Sequence, residues 1–386
     1  MPRATLLRSI FPSRLRFTVV VACGLFACLG GAQGGPTPKS ASAAPPKTQV
    51  MGSGLAAESP AARAARARLS DRFAMHQTQR FVLFSDATDV LTSQSAGWAE
   101  RAYDEFERFA NECDLKPGPL QHKLVCILFE KREEYLAFAK SNDGMSNISF
   151  TGYYSPKNDR VVFSVEPERA PQRKVEAGAA RTQKQPAAPS KPVLGFDTRG
   201  LEGQNEPEPH AAHNHQLLDV PCDSAAKCVH ETIHQLMFHT RVMTPDVQYP
   251  LWICEGLATA FETATPSLPF GPDVDFAPRR DAFQSLLRRD QLIPLRDLAV
   301  LTQVSADQPR ITRVVYQQSY ALVTWMSRER KEQLRDYLSL MRRQDGGRMS
   351  AAKHLRLFEQ AFGDVDVLEQ AWLNYERTVR LNSDSR

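Results

Sequence analysis

"CVHETIHQLMFHT", residues 228–240, places histidines at 230 and 234 around Glu231, with Val229, Ile233, Leu236 and Met237 spaced as on the apolar side of a helix. Side chains four residues apart share one face of an α-helix, so His230 and His234 can present two imidazole nitrogens to one tetrahedral cation. Glu231 is turned about 100° from His230. There it reaches a water at such a cation without being a ligand, which is the place of a general base. The same pattern also suits a helix that carries two histidines and a glutamate as polar decoration, so the reading turns on a third ligand.

A hydrolytic zinc site uses three protein ligands and one open position. "PLWICEGLATAFE", residues 250–262, supplies Glu255, 21 residues after His234. That interval lets the first helix end near His239, a loop pass through Pro245 and Pro250, and a second helix pack back against the first. Gly256 removes a side chain where two ligand-bearing helices are expected to approach. Glu262, about two turns beyond Glu255 on the same expected helix, is placed to orient a ligand histidine; a solvated or capping role is the alternative. Cys254 next to the ligand reads as a buried apolar thiol.

Outward from this centre, the 386 residues suffice for two ordinary cores or one large domain with insertions. A hydrophobic share of 42% is that of a soluble protein, and a net charge of +4 with scattered arginines implies no nucleic acid partner. Residues 1–32 carry Arg3, Arg8, Arg14 and Arg16, then "FTVVVACGLFACLGG", the order of a secretory signal with cleavage near Ala32. Export to the periplasm, cell envelope or exterior is expected. "VVAC" at Cys23 and "LFAC" at Cys28 also have the form of lipoprotein boxes, so membrane attachment through a lipidated Cys23 or Cys28 is the alternative to full secretion.

Residues 33–65 are rich in Pro, Ala, Ser and Lys and read as a flexible linker. Residues 66–166 alternate strand-like and helical stretches: "RFVLFS" (80–85), a helix through Ala99, Tyr103, Phe106, Ala110 and Cys113, "KLVCILF" (123–129), a helix at 131–140, and a hairpin at 150–165 turning at Pro156, Asn158 and Asp159. Residues 167–220 read as a disordered insertion whose His210, His213 and His215 are more simply solvated than metal-binding. Residues 221–380 read as mostly helical. The fold class is therefore α+β. Beyond the signal, Cys113, Cys126, Cys222, Cys228 and Cys254 are an odd set; Cys222 with Cys228 is the pair to test.

"HETIH", 20 residues, then "EGLATAFE" resembles the gluzincin zinc metallopeptidases, and most nearly their peptidase MA-like group of exported bacterial proteins. The resemblance implies a small α/β unit before a zincin-like helical region, with Zn2+ bound by His230, His234 and Glu255 and Glu231 as the base. It also implies a tyrosine that hydrogen-bonds the oxyanion. "VVYQQSYALVTWM" (314–326) offers Tyr316 for it, with Tyr320 as the alternative. In gluzincins an edge strand above the metal pairs with an extended peptide, and "RVVFSV" is the expected strand. There is no "GxMEN"-type stretch, so an endopeptidase is expected rather than an aminopeptidase. The substrates implied are peptides or proteins, cell-wall peptide crosslinks included. The competing expectation is a non-catalytic cell-envelope binding protein that keeps zinc as a structural ion.

Overall fold

A computed structural model describes residue 55 and residues 59–145, 151–165, 224–304 and 308–383. The signal with Cys23 and Cys28, most of the linker, the insertion with its three histidines, and Cys222 lie outside the described residues. The five strands are β1 (Ala74–Gln77), β2 (Phe81–Ser85), β3 (Leu124–Phe129), β4 (Gly152–Ser155) and β5 (Arg160–Ser164). The eleven described helices are α1 (Pro60–Arg66), α2 (Asp89–Glu112), α3 (Arg132–Asp143), α4 (Ser224–His239), α5 (Leu251–Ala260), α6 (Ala277–Arg288), α7 (Leu295–Leu298), α8 (Pro309–Glu329), α9 (Lys331–Arg342), α10 (Ala351–Phe362) and α11 (Val365–Ser383). The fold is α+β, as the sequence predicts.

The strands form one sheet in the order β1-β2-β3-β5-β4, parallel through β2, β3 and β5 and antiparallel at both edges. β2, β3 and β5 are buried along their whole length, which is why they read as unbroken apolar runs. Their alternate side chains feed two cores. Leu83, Cys126 and Phe163 face α2, α4 and the helical half, whereas Val82, Ile127 and Val162 face α1 and α3. The first core runs without a break from Phe81 to Trp372, so the small α/β unit and the helical region share one interior.

Two expectations change, and one strand has no sequence signal. The composition predicts a linker to residue 65, but α1 occupies Pro60–Arg66. Ser59 accepts the Ala62 N–H at 3.0 Å, Pro60 takes the first turn, and Ala62 and Ala65 are buried on the sheet. β1, half-exposed and only four residues long, carries too little apolar pattern to be read. "RVVFSV" is not the edge strand: β5 lies between β3 and β4, and β4 is the edge. The hairpin itself is as expected. Among the described residues no helix is long and apolar enough to cross a membrane, and Cys228 is a buried free thiol whose S–H points to the Ser95 carbonyl at 3.7 Å.

Candidate metal centre

α4 packs against α2 on one side and against the β4–β5 hairpin on the other, so its middle turn is wholly enclosed. His230 and His234 are 2% and 1% exposed there, with Glu231 at 4%. α5 starts after Pro250, where the Leu251 N–H donates to the Leu301 carbonyl at 2.7 Å, and brings Glu255 to 1% exposure opposite the two histidines. The helix pair expected from the sequence is therefore present, and the three side chains meet. His230 Nε2 and His234 Nε2 are 3.2 Å apart, and Glu255 Oε2 lies 3.4 Å from the first and 3.6 Å from the second.

These separations test whether the residues fit a cation. Four ligands about 2.0–2.1 Å from a tetrahedral zinc stand about 3.3 Å from one another. The observed triangle has that size. Glu255 Oε2 is also buried without a hydrogen bond, a costly arrangement for a carboxylate that faces no cation. The donor set of two imidazoles and one carboxylate is the one zinc takes at hydrolytic sites, so the residues fit Zn2+.

The surroundings fix the orientation of each group. His230 Nδ1 lies 2.9 Å from Glu262 Oε1, and both Glu262 oxygens receive Arg279 N–H groups at 2.7 Å. Burial raises the Glu262 carboxyl, but Arg279 and His230 outweigh it and hold it at about 2. Glu262 thus contacts His230, one of the candidate ligands, although not from the helix: α5 ends at Ala260, and Glu262 sits just past its Phe261 cap. Arg279 comes from the first turn of α6 and carries no sequence signal. Nothing in local spacing ties it to a glutamate 17 residues earlier.

Glu231 is held from two sides. The Tyr154 backbone N–H on β4 donates to Oε2 at 2.9 Å, and Lys227, one turn earlier on α4, sets its ammonium 3.0 Å from Oε1. Burial raises this carboxyl, and Lys227 with the flanking histidines brings it below the ordinary value, so it is ionised at neutral pH and free to accept a proton. Lys227 is legible in the sequence as the i−4 neighbour of Glu231. Gly152 lets β4 come this close: a Cβ there would lie 3.3 Å from Lys227 Cγ and 3.4 Å from Glu231 Cγ.

Tyr316 stands in the first half of α8 with its ring parallel to that of His230, centroids 6.4 Å apart. Burial, the charge of Glu255 and a hydrogen bond to that carboxylate hold its hydroxyl proton well beyond the usual range. Tyr320 points elsewhere, accepting the Phe276 N–H at 2.9 Å, so Tyr316 alone of the two tyrosines reaches the centre. Gly256 does mark a close approach, but to α8 rather than α4. A Cβ would stand 2.5 Å from Val323 Cγ2 and 2.7 Å from the Ser319 carbonyl oxygen. Cys254 is buried, as expected, and stands outside the ligand cluster.

Residues 224–345 match a family described as "Protein of unknown function (DUF1570)". The match takes in α4, α5 and Tyr316 and leaves the sheet outside it. No curated protein matches the chain.

Proposed function

We propose that the protein is an exported zinc-dependent peptidase that hydrolyses peptide bonds at the His230–His234–Glu255 centre. The observation that carries this reading is the ligand triangle, sized for a tetrahedral cation, with an ionised glutamate beside it and a protonated tyrosine across it. The motif spacing of the same residues, which resembles that of gluzincins, supports the reading as well.

A bound Zn2+ supplies Lewis acidity, lowering the pKa of a water at the site and polarising the substrate carbonyl. Glu231 accepts the proton of the attacking water and delivers it to the leaving amine, and its contacts with Lys227 and the Tyr154 N–H keep the carboxylate aimed while it does so. Tyr316 acts as a donor rather than a base, because its hydroxyl stays protonated at neutral pH; it hydrogen-bonds the oxygen on which charge develops. Glu262 holds the His230 Nδ1–H, leaving the Nε2 lone pair for the cation.

Extended peptides are expected to lie along the outer edge of β4, where the Tyr154 N–H is already committed to Glu231 and the remaining outward groups are left for pairing. The arginine-led apolar run of residues 1–32 supports action outside the cytoplasm.

The test is zinc content and peptide cleavage measured on the same preparations. One zinc at this centre, lost in His230→Ala and Glu255→Ala, with cleavage abolished in Glu231→Gln while its zinc stays, is the expected result. Zinc bound at this centre with no cleavage of any protein, peptide or cell-wall crosslink by the wild type would instead favour the non-catalytic binding protein.

A further inference from the structure

A second convergent donor set stands at the far end of α4. His239, its last residue, lies five positions past His234, so it is about 7.5 Å along the axis and roughly 140° round the helix. It belongs to a different face and serves a different centre. Its Nε2 is 2.5 Å from Oδ1 of Asp159, the residue that closes the β4–β5 turn. The other carboxylate oxygen, Oδ2, lies 3.7 Å from Nε2 of His122, which comes two residues before β3. The two imidazoles pack edge to face, centroids 5.4 Å apart, with the carboxylate reaching both. One ligand atom from each of the three residues lies within 4.8 Å of the others.

This is more than an ordinary His–Asp hydrogen bond. Asp159 Oδ1 takes that bond and accepts the Tyr154 hydroxyl at 3.4 Å, while Oδ2 is turned to a second imidazole, so two rings from separate elements converge on one carboxylate. Asp159 takes a left-handed backbone, φ 49°, which places its carboxylate between the two rings. The three side chains are 16–30% exposed, so a cation can enter from solvent and keep water on its remaining positions. Two neutral imidazoles and a carboxylate suit borderline divalent ions such as Zn2+ and Co2+ rather than Ca2+ or Mg2+, which prefer all-oxygen sets.

We propose that His122, Asp159 and His239 form a second divalent-metal site that clips the β4–β5 hairpin to the end of α4. On entry the cation takes the His239 Nε2 lone pair in place of the hydrogen shared with Asp159 Oδ1: a neutral ring then carries its single N–H at Nδ1, and a ring that starts as imidazolium gives one proton to the buffer. The clip bears on the first centre mechanically. The same hairpin carries the Tyr154 N–H that holds Glu231, and the Tyr154 ring stacks on Phe238, the neighbour of His239.

The experiment is titration of the metal-free full chain with Co2+ and with Zn2+ at neutral pH. Cobalt absorption and equilibrium dialysis count the equivalents bound, and circular dichroism checks folding. The expected result is one equivalent that disappears in both His122→Gln and Asp159→Asn and persists in His230→Ala. Each of the first two variants also keeps whatever equivalent His230→Ala removes, so failure of the first centre and failure of this one read out separately. Both partners are 28–30% exposed and outside the core, and Asp159→Asn preserves shape and one hydrogen bond, so these variants are expected to fold. Metal binding unchanged in His122→Gln and Asp159→Asn would overturn the proposal. So would an extra equivalent that disappears only when His210, His213 and His215 are all changed to Ala.

Discussion

His230 Nδ1 lies 2.9 Å from Glu262 Oε1, and this contact decides which ring nitrogen faces Glu255. A neutral imidazole has one N–H and one lone pair. With the proton committed to Glu262, the lone pair is at Nε2, inside the ligand triangle. Arg279 keeps Glu262 ionised for that task.

Glu262→Gln is therefore expected to weaken zinc binding about 10–100-fold without removing a ligand. The measurement is competition against a chelator of known affinity, beside the wild type. Unchanged zinc affinity would mean that the ring is oriented by packing alone.

Tyr316→Phe keeps the ring stacked on His230 and removes the hydroxyl. On the proposed mechanism it lowers kcat by about 10²–10³-fold with little change in KM or zinc content. Steady-state kinetics on any cleaved peptide decides it. A rise in KM at constant kcat would assign the tyrosine to substrate binding instead. The same change at Tyr320 is expected to cost stability and not turnover, because that hydroxyl is occupied by the Phe276 N–H.

Gly256→Ala sets a methyl 2.5 Å from Val323 and 2.7 Å from the Ser319 carbonyl. The carbonyl belongs to the α8 backbone and cannot rotate aside, so α5 and α8 must separate. A loss of about 1–3 kcal/mol in urea unfolding is expected, together with weaker zinc binding, since Glu255 and Tyr316 ride on the two helices. Wild-type stability in this variant would show that the crossing is looser than described.

Glu376 gives a pH signature away from the candidate metal centre. Burial raises its carboxyl from 4.5 to about 6, although Arg280 lies 2.8 Å from it and pulls the other way. Between those two values the folded chain binds more protons than the unfolded one, so stability falls as pH rises through that window. The rise from 4.5 to about 6 corresponds to a loss of about 2 kcal/mol. Glu376→Gln is expected to flatten the fall, as read from urea unfolding at pH 4.5 and pH 7. An identical fall in both proteins would assign it to other groups.

Local chemistry was legible because it depends on helical periodicity. Two histidines four residues apart share a face whatever surrounds them, and a glutamate 21 residues on has only a few places to go once a helix, a loop and a returning helix are laid out. The buried strands β2, β3 and β5 were legible as unbroken apolar runs, and the hairpin turn by its Pro, Asn and Asp. α1 was not, because its Ala- and Arg-rich stretch is the composition of a linker, and only the sheet face beneath Ala62 and Ala65 makes it a packed helix. Gly256 announced a close approach correctly, yet its partner was α8 and not α4. A missing side chain records that something comes near without recording what.

The sequence by itself thus determined the fold class, the two helices that meet at the centre, and four residues, His230, Glu231, His234 and Glu255, that stand together there. Tertiary structure alone decided that β4 rather than β5 is the edge strand, that Arg279 anchors Glu262, that a backbone N–H of Tyr154 holds Glu231, and that His122, Asp159 and His239 converge. The physical reason is the same in each case. These contacts join residues from separate elements, with nothing periodic to connect them, and they exist only because the shared core beneath sheet and helices fixes where each element ends.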